Sequence, residues 1–244
     1  MIPLRDANPV HRTPIVTIAI IIACVAAYAF RLGIESNGGP GEVDGLFQRF
    51  GLVPANVTAA FETGRWSGDI VLALVTHMFL HVSLLHLAGN MIYLWIFGNN
   101  IEDRLGHVGF IVFYLVGGLA AAAAQVLISP HSNVPMVGAS GAISAILGAY
   151  IVLWPGARIL SLVFLGFFYQ LIEIPPVLVL GLWFLIQLID GIASLGVAAA
   201  EGGVAFFAHI GGFVAGIVIG LLLRARTGGQ DERPRWSPAG PSVG

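Results

Sequence analysis

Six runs of predominantly apolar residues constrain this chain more than any other feature: roughly Pro14–Phe30, Met78–Phe97, Val108–Ile128, Ser140–Trp154, Pro176–Ile192 and Val204–Leu223. About 20 such residues are needed to cross the hydrocarbon core of a bilayer. In lipid each backbone N–H and C=O must be satisfied within the protein, so only helices and closed barrels span it. None of the six runs alternates as a barrel strand would. The expected fold is all-α, a polytopic membrane protein with six transmembrane helices over residues 14–226. Composition agrees, with 10% charged residues and 57% hydrophobic ones, where a soluble domain carries about 25% and about 45–50%. A net charge of -2 offers no basic face to a phosphate backbone, so nucleic acid is not an expected partner. The single cysteine, Cys24, provides neither an internal disulfide nor a cysteine metal site.

The fourth run is short and follows Pro130, Pro135 and Gly138. Its helix is expected to start below the membrane surface, after a loop sheltered by protein or by a water-filled cavity. Arg5 and Arg12 precede the first run, Arg224, Arg226, Arg233 and Arg235 follow the last, and Arg104 and Arg158 lie in two connections. With six spans all of these fall on one side, which the positive-inside rule makes cytoplasmic. Residues 1–13 are then a cytoplasmic N-terminal segment and 227–244 a disordered cytoplasmic tail rich in Gly and Pro. The loop 32–77 faces outward, carries more acids than bases and is far longer than a usual connection, so docked interfacial structure is expected there. Ala27-Tyr28-Ala29 resembles a cleavage site, but the weak basic start and Arg31 favour a retained helix.

Polar groups inside a span are costly, and their placement marks candidate function. The second run opens with His77 and His81 and continues through His86 to Asn90, the last two one helical turn apart. The fourth opens Gly138-Ala139-Ser140-Gly141, and the sixth holds His209. Singly, each has a plain structural reading: Ser140 as an N-cap, a histidine as an interhelical hydrogen bonder, His77 and His81 as residues facing headgroups. Spacing favours convergence. Ala205, His209, Gly212, Gly216 and Gly220 form one small-residue stripe, and Gly141, Ala145, Gly148 and Ala149 another. Such stripes let helix backbones approach closely, and packing them together brings His209 to Ser140. A serine hydroxyl is a weak nucleophile until an adjacent base takes its proton. The N-terminal position of Ser140 favours nearby negative charge, and His86 and Asn90 supply donors for an oxyanion. No acid is recognisable as an orienter of the base; Asp190 and Glu201 are not assigned to that role.

Gly138-Ala139-Ser140-Gly141, Ala208-His209 with Gly212 and Gly216, and His86 with Asn90 together resemble the rhomboid intramembrane serine proteases. The segments His77–His86 and Phe97–Gly106 resemble them too, and the likeness covers roughly residues 70–220. It implies the six-helix rhomboid fold, a Ser140–His209 dyad, and an oxyanion hole made by His86, Asn90 and the Ser140 backbone, with Gly138 shaping the loop. It further implies that Glu102 and Arg104 stabilise the connection after the second helix and that the fifth helix is a lateral gate. The implied activity is cleavage of transmembrane segments in single-span membrane proteins, with no metal or organic cofactor. Two positions depart from the family pattern. Leu72-Ala73 stand where a Trp-Arg pair is frequent, with Arg65-Trp66 upstream, and Ser144 stands where an aromatic usually stacks on the imidazole. Phe206 or Phe207 is the expected substitute for that aromatic.

Three rival readings remain at this stage. A catalytically inactive relative that binds transmembrane clients has no need to keep both Ser140 and His209. A transporter is expected to show matching internal halves, which this chain lacks. A haem or metal protein using His77, His81, His86 and His209 leaves the glycine-flanked Ser140 unexplained. The expected location is a bacterial inner membrane.

Overall fold

A computed structural model of the chain describes residues 2–165, 168–194 and 205–226. The tail from Thr227 and Glu201 fall outside these. Among the described residues, four helical stretches are long and apolar enough to cross a membrane: Ile15–Gly38, Leu84–Ile128, Pro176–Ala193 and Phe206–Arg226. The second counts twice. At Gly106 the backbone turns to φ 72 and ψ 168, a left-handed conformation that glycine adopts without steric cost. The chain doubles back there, so that Phe110 lies over Gly98 and Met78 over Gly118. Two spans result, separated by this break. The first span, α1 (Ile15–Gly38), runs eight residues past its expected end.

The second span needs correction at its start. Residues His77–Phe79 form one 3₁₀ turn, the chain is then extended at Leu80, and α5 (Leu84–Tyr93) begins only where Ser83 caps it, accepting from the His86 N–H at 3.2 Å. A π-helical stretch, Leu94–Gly98, joins α5 to α6 (Asn99–Ile128). Within loop 32–77 three further helices are laid down, α2 (Pro40–Phe50), α3 (Pro54–Thr63) and α4 (Gly68–Thr76). Pro40 and Pro54 open the first two, where a missing N–H costs nothing.

At the centre stands α7 (Ser140–Leu153), whose residues Ala142–Tyr150 are all buried. Its 14 residues reach only about 21 Å at 1.5 Å per residue, well short of the roughly 30 Å core. A helix this short and apolar on all sides has protein rather than lipid around it. It is preceded by a loop held on both flanks: Leu52 and Met136 exchange backbone hydrogen bonds of 2.9 and 2.8 Å, and the Gly138 N–H donates to the His77 carbonyl at 2.8 Å.

Close backbone approach organises the packing around α7, as the spacing of small residues predicts. A Cβ on Gly212 or Gly216 of α9 (Phe206–Arg226) would strike the carbonyl oxygen of Gly141 or Ala145, and one on Gly148 that of Phe213. On the other side Gly117 meets Ala145 and Gly141 meets Ala121, drawing in α6. The last helix to pack here is α8 (Pro176–Ser194), which buries Pro176, Val179, Leu180 and Gly191 but no residue from Gly181 to Asp190.

A small antiparallel sheet, not expected from the sequence, ties the N-terminal segment to the connection between α7 and α8. Its order is β1 (Ile2–Asp6), β2 (Ile159–Leu165), β3 (Phe168–Ile174). Through it Asp6 reaches a buried position, accepting from Asn100 Nδ2 at 2.7 Å and Tyr150 Oη at 3.0 Å. Burial pushes its carboxyl up from the ordinary 3.8 to about 6, against the lowering effect of these two donors. Glu102 anchors the start of α1. It accepts from the Val16 and Thr17 N–H groups at 2.8 Å each, from Thr17 Oγ1 at 2.7 Å, and meets His107 Nδ1 at 2.6 Å.

Candidate active site

The start of α7 and the first turn of α9 meet where Gly212 rides on Gly141. That contact sets Ser140 Oγ 2.7 Å from His209 Nε2. The distance lies within the 2.6–3.2 Å range in which a base can take a hydroxyl proton. His209 is buried, whereas Ser140 and His86 are half-buried. The α9 turn is itself supported from α6, because Gln125 Oε1 accepts from the Ala208 N–H at 3.3 Å.

Gly138 lies between Ser140 and His86, at φ 131. A Cβ there would stand 2.9 Å from His86 Nε2 and 3.5 Å from Ser140 Oγ. Both the backbone angle and the space exclude a side chain, and the imidazole of His86 is thereby held against the serine loop. One turn along α5, Asn90 is buried, and its Nδ2 has no hydrogen-bond partner among the described residues. A buried donor left unpaired costs about 1–3 kcal/mol, and such a group calls for a functional account. The first backbone N–H groups of α7 have no intrahelical acceptor. The Ser140 hydroxyl, the His209 and His86 rings and the free N–H groups of α7 are thus grouped at one helix start.

His77 and His81 do not face headgroups. Both are buried: His77 Nδ1 donates to the Ala73 carbonyl at 2.8 Å, and His81 Nδ1 lies 3.2 Å from the Phe79 carbonyl. The His81 ring meets that of His86 edge-on at 5.1 Å. His77 lies in the 3₁₀ turn and His81 in the non-helical stretch after Phe79, and both rings are turned into the protein. Among the described residues no group of three or more His, Cys, Asp or Glu side chains is arranged to hold a metal ion.

The aromatic beside the imidazole is neither Phe206 nor Phe207. Those two lie against Gly191 of α8. Trp183, also on α8, takes the position instead, its ring 5.9 Å from His209 at an interplanar angle of 36°. Ser144 is fully buried, with Cβ within 3.2 Å of a Cβ on Gly212, and its hydroxyl donates to the Ser140 carbonyl at 2.6 Å. An aromatic at 144 has no room once α9 is this close. One turn from Trp183 is Gln187, whose Oε1 sits 2.7 Å from His209 Nδ1. The sequence carried a signal for it, a lone amide in an apolar helix, but nothing to say which way it turned. In the first loop Trp66 packs edge-on against Phe61 at 4.8 Å, and Leu72 is exposed while Ala73 is buried.

Comparison with known proteins gives these contacts a context. A family model described as the Rhomboid domain matches residues 69–226. The rhomboid protease GluP of Bacillus subtilis is 31% identical over 188 residues, covering 77% of this chain and 32% of that protein. Mitochondrial Rhomboid protein 1 of Saccharomyces cerevisiae is 27% identical over 168 residues, 66% of this chain and 44% of the relative. The rhomboid protease GlpG of Yersinia enterocolitica is 28% identical over 132 residues, 54% and 41% respectively. The chain therefore spans less than half the length of each of these relatives.

Proposed function

The chain belongs to the rhomboid family of integral membrane proteins, and from that premise we propose that it is an intramembrane serine endopeptidase working through a Ser140–His209 dyad. The observation that carries the reading is the 2.7 Å contact between Ser140 Oγ and His209 Nε2, made in the interior of an apolar bundle where two unrelated polar side chains have no other reason to meet.

The steps follow from the atoms. Ser140 Oγ attacks the carbonyl carbon of a peptide bond as His209 Nε2 takes its proton. The negative charge gathers on the former carbonyl oxygen, where Asn90 Nδ2, His86 and the Ser140 N–H receive it; one such donor is worth about 10²–10³ in rate. Collapse breaks the C–N bond, and His209 returns the proton to the leaving amine. A water then gives a proton to His209 and attacks the acyl carbon; collapse breaks the C–Oγ bond, His209 returns the proton to Ser140 Oγ, and the second product leaves. None of these steps calls on a metal or an organic cofactor.

The substrates are transmembrane segments of single-span membrane proteins. A helix must unwind before its carbonyl is open to attack, and each freed backbone group costs several kcal/mol in hydrocarbon. Segments weakened by Gly, Pro or polar residues are accordingly preferred. The membrane in this reading is a bacterial inner membrane; the arginine distribution supports an orientation with both termini cytoplasmic and the site open to the opposite face.

The test is a fluorophosphonate probe and a model transmembrane substrate, applied to detergent-solubilised wild type, Ser140→Ala and His209→Ala. Labelling and cleavage by wild type alone supports the dyad. Equal labelling of all three overturns it, and binding of the substrate without cleavage by wild type identifies instead an inactive client-binding member.

A further inference from the structure

The dyad leaves one ring nitrogen unexplained. With Nε2 committed to Ser140, the base works only if the neutral imidazole carries its proton on Nδ1, and that tautomer is set by whatever Nδ1 touches. Gln187 Oε1 is 2.7 Å away. We propose that Gln187 is a positioning residue for the reaction: its amide oxygen accepts the Nδ1 proton of His209 and so holds the Nε2 lone pair on the Ser140 hydroxyl. This rests on the dyad reading above and adds a third member to it.

The geometry gives the bond a second function. Trp183 and Gln187 are four residues apart on α8, so they present one face, and both touch the imidazole, one at the ring and one at the nitrogen. Rotation of His209 about its side-chain bonds is blocked by the first and its tautomer chosen by the second. A neutral amide suits the depth of this site. A carboxylate there would be desolvated in every state of the enzyme without a partner charge, except while the imidazole is protonated. The remaining polar groups near the imidazole are Ser140 and Ser144 on α7, the half-buried His86 on α5, and the neutral Gln125 on α6, which is occupied with the Ala208 N–H. Among the described residues, none of these hydrogen-bonds to Nδ1.

The experiment uses the full-length chain in detergent or bilayer, with Gln187→Leu and Gln187→Glu beside wild type and Ser140→Ala. Leu keeps the apolar volume and removes the acceptor. One net hydrogen bond corresponds to about tenfold in an equilibrium, so kcat of Gln187→Leu is expected to fall about tenfold or more with KM within twofold. The ¹⁵N signals of His209 should change from a single Nδ1–H tautomer to a mixture. Glu restores an acceptor but adds charge, so activity should return in part, with the acid limb of the pH–rate profile moved to higher pH. A purely structural Gln187 predicts none of the last two effects. Wild-type kcat and an unchanged ¹⁵N tautomer in Gln187→Leu overturn the proposal while leaving the dyad standing. If Gln187→Leu proves unstable, the pH profile of Gln187→Glu decides, and an unmoved acid limb refutes the assignment. Cleavage by Ser140→Ala would remove the dyad itself, a separate failure.

Discussion

Adding one methyl group at Gly212 tests how the site is assembled. The new Cβ would lie 3.2 Å from both the Gly141 carbonyl carbon and Ser144 Cβ, and closer still to the Gly141 carbonyl oxygen. Ordinary carbon contacts fall at about 3.5–4.0 Å. Backbone cannot step aside as a flexible side chain can, so α9 must withdraw from α7 by on the order of 1 Å. The same displacement carries His209 away from Ser140, and their 2.7 Å contact passes beyond the roughly 3.2 Å reach of proton transfer. Misplacement of this size costs about 10²-fold in rate. Stability moves far less, because overpacking by about 1–3 kcal/mol is partly offset by the roughly 1 kcal/mol that Ala gains over Gly in a helix. Gly33→Ala in α1 is the matched control, since nothing lies within 4 Å of a Cβ there. Cleavage of a model transmembrane substrate by purified Gly212→Ala and Gly33→Ala, with Tm recorded for each, provides the comparison. If Gly212→Ala cleaves within twofold of wild type, close backbone approach is not what sets the catalytic distance, and the reasoning fails.

Two further outcomes are expected from the same preparation. Asn90→Ala should lose about 10²-fold in kcat with little change in Tm, because the Nδ2 it removes makes no hydrogen bond to any described residue; a large fall in Tm with proportionate loss of activity would count against an oxyanion role. Asp6 is neutral more readily in the folded protein than in the unfolded chain, its carboxyl raised by burial from 3.8 to about 6. Its contribution is therefore fully present below pH 4 and declines as pH rises to about 6, by on the order of 3 kcal/mol at 1.36 kcal/mol per pH unit. Asp6→Asn keeps an acceptor for Asn100 and Tyr150, so its Tm should lack that decline; parallel Tm–pH curves for the two proteins would exclude Asp6 as the source.

Much of the architecture was legible because lipid leaves a chain few options. Long apolar runs must be helices, and the positions of α7, α8 and α9 follow within a few residues. The Ser140–His209 approach was legible for a related reason: small residues at helical spacing are costly to place at random, and two such stripes carrying the two polar groups need each other. Where polar and apolar requirements did not coincide, the sequence was ambiguous. Met78–Phe97 reads as one apolar run, yet Leu80–Ser83 is non-helical, with Leu80 and His81 buried and Val82 exposed, and α5 starts only at the Ser83 cap. Ile159–Ile174 is equally apolar and too short to decide between strand and helix; its pairing with Ile2–Asp6 depends on a contact across most of the chain.

Gln187 and Trp183 were missed for a different reason, one that says something about how such a site is built. The rotation of α7 against α9 is dictated by glycine, since only one orientation lets the backbones touch. No such stripe orients α8, whose mid-section from Gly181 to Asp190 buries nothing completely. Its contacts are Val179 and Leu180 in the core, Phe184 stacked on Phe213 at 4.6 Å, and one ring contact and one hydrogen bond to the imidazole. The dependence therefore runs in both directions: α8 holds His209 in its working tautomer, and His209 gives α8 a polar anchor in an otherwise apolar face. A hydrogen bond in this position costs little to a helix that must otherwise bury an unsatisfied amide in hydrocarbon. That gives a physical reason for a glutamine to lie in the middle of a mostly apolar helix, and it links α8 to the imidazole of His209.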